Sequence, residues 1–260
     1  MIIKVLTENT TKKENIIPEH GLSLYIETQK HKILFDMGQT DLFYKNSQTM
    51  GVDLTKVDIA FLSHGHYDHG GGLQKFFEIN NNAFVYLSRF AFGNYYNGTE
   101  KFIGIDKNLQ SHPRIVFVND KEKIDDELSL FSLNEVIDKN KIEAFGLNEK
   151  SNGKFSPDTF RHEHYLVINE NKKRIVISGC SHKGVVNIAE SLDPDVLIGG
   201  FHYSKIDPET GVLDKRADEL LKTKANFYTC HCTGEEQYGY MKKIMSDRLH
   251  YLSAGDEIEI

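Results

Sequence analysis

The sequence predicts an α/β fold, in which helices pack on the outer faces of β-sheets. Three observations predict this class. Short runs rich in β-branched residues recur along the 260-residue chain, with turn or helix signals between them. Pairs of such runs come first, and later runs alternate with helical segments. The apolar content of 39%, with 11% aromatic residues, is enough to fill the core of one layered domain.

Four early runs are predicted to be strands, because each combines β-branched residues with polar turn residues at its ends. The segment "QKHK" between the second and third runs is typical of a hairpin turn. The predicted strands are 2–9, 22–28, 32–38 and 57–64. Residues 41–50 predict a helix, with Asp41 near its start and Gly51 as its terminating residue.

The second half of the chain predicts strands that alternate with helices. The predicted strands are 84–88, 114–118, 164–169, 174–180 and 195–201, with a last one near 257–260. The predicted helices are 184–191, 214–223 and 235–247. The stretch 89–160 interrupts this alternation, since it is rich in Asn, Gly, Phe, Tyr and Lys and has no strong period. We therefore predict a single domain over residues 1–260, with an insertion or lid at about 89–160.

Charge and cysteine usage narrow the function classes. A formal net charge of −7 argues against a broad nucleic-acid surface. The opening "MIIKVLTEN" becomes polar too early for a signal peptide, and no apolar run reaches the ~20 residues that a membrane helix needs. Three cysteines form an odd set that is unlike a disulfide framework. We expect a cytoplasmic protein with reduced thiols, no membrane partner and no nucleic-acid partner.

The segment "FLSHGHYDHGGGL", residues 61–73, carries the strongest chemical signal. His64 and His66 are two residues apart, so in an extended segment their imidazoles point the same way. Asp68 and His69 follow as the chain turns, and their side chains can bind a metal ion at a second position close to the first. Three glycines then permit tight turning and close backbone approach at the start of a helix. Two adjacent ligand sets of this kind are what a dinuclear metal site requires.

Further ligands are expected at other strand ends. His182 follows an apolar strand in "VISGCSH", and His231 follows another in "FYTCHCTGEE". A single histidine at such a position is more often an ordinary loop residue. The presence of the 64–69 cluster in the same chain favours a metal-ligand role for both histidines instead. Imidazole and carboxylate ligands suit zinc, iron or manganese. His162 and His164 are expected to be surface histidines, although one of them facing the site is an open alternative.

The three cysteines indicate a metal site less clearly than the histidines do. Cys230 and Cys232 flank His231, and in a strand their side chains would point away from it. Three cysteines cannot form a Cys₄ zinc site. Cys180 is expected to be a small buried thiol, with a place beside His182 in the pocket as the alternative.

The segment "SHGHYDHGGG" resembles the His-x-His-x-Asp-His signature of the metallo-β-lactamase superfamily, and "LFDMG" and "GCSH" resemble other strand-end motifs of that family. The resemblance runs from about residue 20 to the end of the chain. It implies a four-layered αββα sandwich. Together with "SGCSHKGVVNIAE", "GGFH" and "CHCTGEE", the pattern resembles the branch labelled 7,8-dihydropterin-6-methyl-4-(β-D-ribofuranosyl)aminobenzene-5′-phosphate synthase.

The resemblance also implies roles for particular residues. A first metal site is implied at His64, His66 and His182, and a second at Asp68, His69 and His231. Asp36 in "LFDMG" matches an acid that supports the site through hydrogen bonds, the alternative being a turn residue at a strand end. Zinc is the expected metal, as one or two ions, with iron or manganese as alternatives.

One position departs from the family pattern. Where the family has an aspartate that bridges both metals, this chain has His202 in "DVLIGGFHYS". A neutral imidazole cannot bridge two cations as a carboxylate does. His202 is therefore expected to bind one metal, contact the substrate or act as a general acid.

The predicted function is metal-dependent hydrolysis of a phosphoester or other ester-like small molecule by a metal-bound hydroxide. The substrate is expected to be anionic. Asp68 would orient the hydroxide, and His202 would protonate the leaving group. One alternative is a pterin-transferring synthase, in which the aromatic residues of "RFAFGNYY", 89–96, stack on the pterin, or simply pack as a lid. Another is a non-catalytic metal or ligand sensor. A flavodiiron-type electron-transfer role would need a flavin domain, for which the chain has no room.

Overall fold

The structure is a computed structural model that describes residues 1–138 and 142–260. Its contacts divide the chain into two compact units. Unit 1 contains Met1–Asn119, Gly146–His164 and Ser253–Ile260, and unit 2 contains Asp120–Phe145 and Tyr165–Leu252. The single domain with a lid at about 89–160 stays a prediction.

Strands and α-helices alternate toward the two ends of the chain, and its middle, Phe84–Ile177, is built mainly of strands. The strands are β1 (Ile2–Thr7), β2 (Ser23–Glu27), β3 (Lys32–Phe35), β4 (Ile59–Phe61), β5 (Phe84–Ser88), β6 (Tyr95–Asn97), β7 (Lys101–Phe102), β8 (Ile115–Val118), β9 (Lys121–Lys123), β10 (Leu128–Phe131), β11 (Leu147–Ser151), β12 (Lys154–Pro157), β13 (Tyr165–Glu170), β14 (Lys173–Ile177), β15 (Val196–Gly199), β16 (Asn226–Thr229), β17 (Leu249–Tyr251) and β18 (Glu257–Glu259). The α-helices are α1 (Leu42–Thr49), α2 (Tyr67–Gly70), α3 (Leu73–Ile79), α4 (Val185–Leu192), α5 (Val212–Leu221) and α6 (Glu235–Met245). Short 3₁₀ helices cover Leu54–Lys56, Lys107–Ser111, Pro208–Thr210, His231–Thr233 and Ser246–Arg248.

Unit 1 is built on a seven-stranded sheet in the order β18-β1-β2-β3-β4-β5-β8. The strands from β18 to β3 pair antiparallel, and those from β3 to β8 pair parallel. Parallel pairing places the carboxyl ends of β3 and β4 at one edge, so the segments that follow Phe35 and Phe61 start side by side. A smaller antiparallel sheet in the order β12-β11-β6-β7 completes the unit.

Unit 2 has a sheet of the same size in the order β17-β16-β15-β14-β13-β10-β9. Here β14, β15, β16 and β17 pair parallel, while β13, β10 and β9 extend the sheet antiparallel. The carboxyl ends of β14, β15 and β16 therefore share one edge. The loops after these three strands carry the remaining predicted site residues.

Each sheet buries alternate residues under its own helices, as period-two strands do. In unit 2 the register partners Val176, Leu197 and Phe227 form a row that packs in one core with Ile188 of α4 and Met241 of α6. The core of unit 1 is made in the same way, from Leu34, Ala60 and Val85 of the sheet, Phe43 of α1 and Phe76 of α3. Burial at about 25 cal/mol per Å² of apolar surface makes these rows the main stabilising term of each unit.

The predicted α/β class is confirmed, and every predicted strand and helix is present, the strand 84–88 with the predicted ends and the others with shifted ends. The largest shift concerns the predicted strand 57–64, since β4 ends at Phe61 and His64 lies in the following loop. Within 89–160 the structure adds short strands that the sequence did not indicate, because they are two to five residues long and partly exposed. None of the helices in the described ranges combines the length and the apolarity needed to cross a bilayer.

Candidate metal centre

The histidines of the 64–69 motif converge in unit 1, just beyond the carboxyl end of β4. The ring centroid of His64 lies 4.5 Å from that of His66 and 4.2 Å from that of His69. All three side chains are buried. His66 is extended (φ −100°, ψ 147°) before α2 begins, and the single turn of α2 brings His69 back toward His64. The imidazoles of His64 and His66 therefore lie close together, although His64 is in the loop after β4 and not in the strand that the sequence predicted.

The Asp36 carboxylate holds this cluster in place through hydrogen bonds to Ser63 and His69. Asp36 follows β3, is fully buried and has a left-handed backbone (φ 59°), a conformation that Asp tolerates better than most residues. Its Oδ1 accepts the Ser63 N–H at 2.7 Å, and its Oδ2 accepts the Ser63 hydroxyl at 2.7 Å. Oδ2 also lies 2.6 Å from Nδ1 of His69. The role that the resemblance implies for Asp36, support through hydrogen bonds, matches these contacts.

The same hydrogen bonds assign the tautomers of two histidines. Because Asp36 can only accept, His69 donates its Nδ1–H to it. Because the one hydroxyl proton of Ser63 goes to Asp36, the 2.8 Å contact between Ser63 Oγ and His64 Nδ1 has the histidine as donor. Both rings then carry their lone pair on Nε2. Neutral imidazoles with Nδ1–H fixed by a carboxylate or hydroxyl are the usual state of metal-binding histidines.

Two of these imidazoles have displaced pKa values. Burial, helped by the neighbouring His162, lowers the pKa of His66 to about 3, so this ring is neutral over the physiological range. Burial also acts to lower the pKa of His69, but the Asp36 and Asp68 carboxylates outweigh it and leave that pKa raised. A metal ion would displace the extra proton from His69, because metal and proton compete for the same nitrogen lone pair.

Asp68, in α2, lies at the margin of this cluster. Its Oδ2 is 3.9 Å from Nε2 of His69 and 3.2 Å from Nε2 of His20. The Asp68 side chain is 12% exposed, whereas that of His20 is 55% exposed. His20 was not predicted from the sequence, since it stands alone in a turn-rich segment. The carboxylate is thus available both to a metal and to a substrate.

The glycines near the motif serve close packing. A Cβ at Gly65 would lie 1.9 Å from the carbonyl oxygen of Ala91, and one at Gly71 would lie 2.1 Å from that of Gln39. The N–H groups of Gly70 and Gly71 donate to the carbonyls of His66 and Tyr67. These two N–H groups are therefore used within the backbone, and the expected close backbone approach is confirmed.

A buried Asp158–His162 pair supports the motif from the small-sheet side of unit 1. His162 Nδ1 accepts the Gly65 N–H at 2.9 Å, so its proton is on Nε2, which faces Asp158 Oδ2 at 3.1 Å. Tyr95 stacks on this ring with centroids 3.9 Å apart. Burial raises the pKa of Asp158, but His162 outweighs it and leaves that pKa lowered. The pair fixes the backbone between His64 and His66.

The surface location expected for His162 and His164 is wrong, since both are buried. His164 Nε2 lies 2.7 Å from the carbonyl oxygen of Asn119, which it contacts as a donor. Ligand atoms of His66, Asp158 and His162 lie within 4.8 Å of one another. Both His162 nitrogens are already engaged by Gly65 and Asp158, so we interpret this trio as support for His66.

Unit 2 carries the other three predicted histidines at the edge shared by β14, β15 and β16. His182, His202 and His231 each follow one of these strands. The backbones of Ser181 (φ 55°), His202 (φ 57°) and His231 (φ 51°) are left-handed, a conformation that costs non-glycine residues on the order of 1–3 kcal/mol and collects at functional sites. The His182 and His202 ring centroids are 4.3 Å apart.

A cavity of about 180 Å³ opens in unit 2 beside this histidine pair. Its lining includes His182, His202, Phe145 and Arg216. The Arg216 guanidinium lies 3.2 Å from Glu219 and 3.7 Å from Glu143, so the cavity holds a cation that is already flanked by carboxylates.

The cysteine expectation needs a correction. Residues His231–Thr233 form a 3₁₀ helix rather than a continuation of β16, so side chains do not alternate there. Cys232 consequently lies on the same side as His231, and ligand atoms of Cys180, His231 and Cys232 come within 4.8 Å of one another. All three are buried, and the three cysteines of the chain are free thiols.

Comparison with known proteins identifies the family. Residues 16–208 match the family model of the metallo-β-lactamase superfamily, which is well over half of the chain. The chain belongs to the metallo-β-lactamase superfamily. The crystal structure of Tm1679, a metal-dependent hydrolase of the β-lactamase superfamily, superposes with a TM-score of 0.85 at 28% identity and covers 100% of this chain and 99% of that one. This confirms the predicted resemblance and the α/β fold of the metallo-β-lactamase type.

Other relatives agree with this membership. Two proteins of Methanocaldococcus jannaschii align over most of both lengths. One is uncharacterized, at 28% identity, 90% of this chain and 91% of the relative. The other is a 7,8-dihydropterin-6-methyl-4-(β-D-ribofuranosyl)-aminobenzene-5′-phosphate synthase, at 29% identity, 89% of this chain and 88% of the relative. The metallo-β-lactamase fold protein YhfI from Bacillus subtilis, at 12% identity and a TM-score of 0.61, shares the fold alone.

The superfamily fold implies a divalent metal, and the donor set of unit 1 suits one. Three buried imidazoles and a carboxylate of the same motif lie together, and the hydrogen bonds of Ser63 and Asp36 leave the lone pairs of His64 and His69 on Nε2. Nitrogen and oxygen donors of this kind bind zinc, iron or manganese. The candidate site is therefore chemically competent to hold such an ion.

Proposed function

We propose that this protein is a metal-dependent hydrolase that acts on a phosphoester or other ester-like small molecule. The observation that carries the proposal is the Asp36 network, which fixes the ring proton of His64 and of His69 on Nδ1. Hydrogen bonds that fix Nδ1–H of a histidine leave Nε2 as the donor atom for a metal, as is usual for metal-binding histidines. The 28% identity to a metal-dependent hydrolase, over nearly the whole of both chains, supports the same proposal.

The metal ligands in this proposal are those implied by the resemblance: His64, His66 and His182 for one ion, and Asp68, His69 and His231 for the other. Zinc is the proposed metal, with iron or manganese as alternatives. A divalent ion bound there would activate a water molecule and stabilise negative charge on the substrate. The family aspartate that bridges two ions is replaced by His202, so the second ion should be held more weakly than the first.

The chain's own residues supply the proton transfers. Asp68 is partly exposed and next to His69, which suits a carboxylate that orients the attacking water and takes part in removing its proton. His202 lines the cavity of unit 2 and is close to His182, which suits a group that donates a proton to the leaving oxygen. Asp68 and His202 are the proposed catalytic residues.

The proposed substrate is a small anionic molecule. Support comes from Arg216, a cationic residue in the lining of the cavity of about 180 Å³ beside His202. We propose neither a membrane nor a nucleic-acid partner, in keeping with the formal net charge of −7. A cytoplasmic location belongs to the same proposal, because all three cysteines are free thiols.

The test begins with metal analysis of untreated protein and continues with assays of phosphodiesters, phosphomonoesters, lactones and thioesters. We expect at least one class to be hydrolysed, with activity lost on chelation and restored by zinc. Asp41→Asn is the matched control for Asp68→Asn, since Asp41 is an exposed carboxylate paired with Lys45. Metal-loaded protein that hydrolyses none of these classes would contradict the proposal and favour a metal or ligand sensor.

A pterin-transferring synthase is the second candidate, and the 29% identical relative of that name favours it. Two of the four aromatic residues in 89–96 are used in packing, since Phe92 and Tyr95 are buried and Tyr95 stacks on His162, whereas Phe90 and Tyr96 are partly exposed. Incubation with a dihydropterin and a ribofuranosylaminobenzene phosphate, followed by mass spectrometry, decides between the two. A coupled product without ester hydrolysis would favour the synthase.

A further inference from the structure

Unit 2 contains a thiol–imidazole cluster whose two thiols the proposed ligand set does not use. It consists of Cys180, His231 and Cys232, whose side chains are 3%, 2% and 8% exposed. One ligand atom of each residue lies within 4.8 Å of the other two. Cys180 comes from the loop after β14, and the other two come from the 3₁₀ turn after β16.

The backbone is shaped to bring these three groups together. Cys230 is fully extended, and His231 then turns into the left-handed region at φ 51°, so His231 and Cys232 follow a tight turn instead of a strand. Gly200, after β15, leaves the room for the second thiol, because a Cβ there would lie 2.3 Å from Cys232 Sγ. Cys232 Sγ is in turn 3.6 Å from the carbonyl oxygen of Cys180.

We propose that the Cys180 and Cys232 thiolates join His231 as ligands of one metal ion. The inference rests on the proposed function only in taking His231 as a ligand. Zinc binds Cys sulfur at ≈ 2.3 Å and His nitrogen at ≈ 2.0–2.1 Å, so tetrahedral ligands lie roughly 3.3–3.8 Å apart. Ligand atoms already within 4.8 Å reach that geometry by small side-chain adjustments. Each thiol gives its proton to solvent as its sulfur–metal bond forms, and no oxidant is involved.

Sulfur ligands would change which metal this protein selects. Thiolates favour zinc over manganese and other ions that prefer oxygen ligands, whereas an all-nitrogen and oxygen set discriminates less. They also add negative charge on the side of the site where His202 stands in place of the family's bridging aspartate. The second ion would then be retained by sulfur rather than by a bridging carboxylate.

Cobalt substitution of the full chain tests this directly. Protein stripped with a chelator is loaded with Co²⁺, and the near-ultraviolet region is examined for a sulfur-to-cobalt charge-transfer band. We expect the band in the unsubstituted protein, a weaker band in Cys180→Ser and in Cys232→Ser, and none in the double variant. Cys230→Ser is the matched control, because Cys230 is also buried and adjacent to His231 but is outside the cluster. It should keep the band.

Zinc affinity gives a second readout. We expect the double variant to lose at least about tenfold in zinc affinity, as loss of direct or supporting ligands does. Alanine replacements serve if a serine variant fails to fold by circular dichroism. The inference is overturned by cobalt-loaded protein without the band, by a band that survives in the double variant, or by a Cys180–Cys232 disulfide found by mass spectrometry in freshly reduced, metal-loaded protein. A band without hydrolysis of any ester would leave this inference standing while refuting the proposed function.

Discussion

Replacing Asp36 by asparagine should weaken metal binding through the tautomers of two histidines. The native carboxylate accepts from the Ser63 N–H, the Ser63 hydroxyl and His69 Nδ1–H at 2.7, 2.7 and 2.6 Å. An asparagine keeps the first of these bonds through its carbonyl oxygen but turns its NH₂ group toward the other two. His69 must then accept at Nδ1 and place its proton on Nε2. Ser63 is likewise turned to donate to His64, which moves the proton of that ring as well.

The expected size of the effect follows from these contacts. Changing a group that orients a metal-bound histidine costs about 10–100-fold in metal affinity, or about 1.4–2.7 kcal/mol. Hydrogen bonds to a charged group contribute about 1.5–3 kcal/mol each, and an asparagine recovers part of the two that are lost, so we expect metal-free Asp36→Asn to lose about 2–4 kcal/mol of stability.

Zinc affinity is measured by competition with a chromophoric chelator, and stability by urea denaturation of chelator-treated protein. Asp41→Asn makes the same chemical change at an exposed carboxylate that pairs with Lys45, and it should alter neither quantity. Unchanged zinc affinity in Asp36→Asn, with a folded protein, would refute the tautomer argument.

Three further predictions concern the remaining site residues. Asp68→Asn should abolish turnover on any identified substrate while most metal at the first site is retained, because the charge of the carboxylate rather than its bulk is needed; near-normal turnover would place the chemistry elsewhere. His202→Ala should lower kcat by about 10²–10⁴-fold with little change in metal content, as the loss of a proton donor does; recovery of full rate with excess metal would instead identify His202 as a ligand. The metal-free protein should lose stability as the pH falls from about 6.5 toward 3, because His66, with its pKa lowered to about 3, binds a proton in the unfolded chain but not in the folded one over that window. Urea denaturation across this range should show a shallower slope in His66→Gln, and an equal slope in both proteins would contradict that assignment.

Short-range patterns allowed much of the candidate site to be predicted. The spacing of His64, His66, Asp68 and His69 is local, and one extended residue followed by one helical turn is enough to bring the rings together. The parallel strands likewise explain why His182 and His231 were found by their positions after apolar runs. The 64–69 spacing depends on sequence neighbours alone, whereas the positions of His182 and His231 depend on the general rule that parallel strands end at one edge of a sheet.

The features of the site that were not predicted from the sequence depend on long-range contacts and on irregular backbone. The bond from Gly65 to His162 joins residues 97 apart in the chain, so no local pattern showed that His162 is buried or that Asp158 supports it. Cys232 was expected to point away from His231 because a strand was assumed there, and the left-handed backbone of His231 removes that alternation. Such a conformation in a histidine is unfavourable locally and is imposed by tertiary structure.

The central claim, a metal site at the predicted histidines and aspartate, is tested most directly by crystallography of zinc-loaded protein at the zinc absorption edge. We predict an anomalous peak bonded to His64, His66 and His182, with Zn–N distances of about 2.0–2.1 Å, and a weaker peak bonded to Asp68, His69 and His231. Anomalous peaks that contact none of these residues, in protein that hydrolyses an ester with zinc bound, would contradict the account.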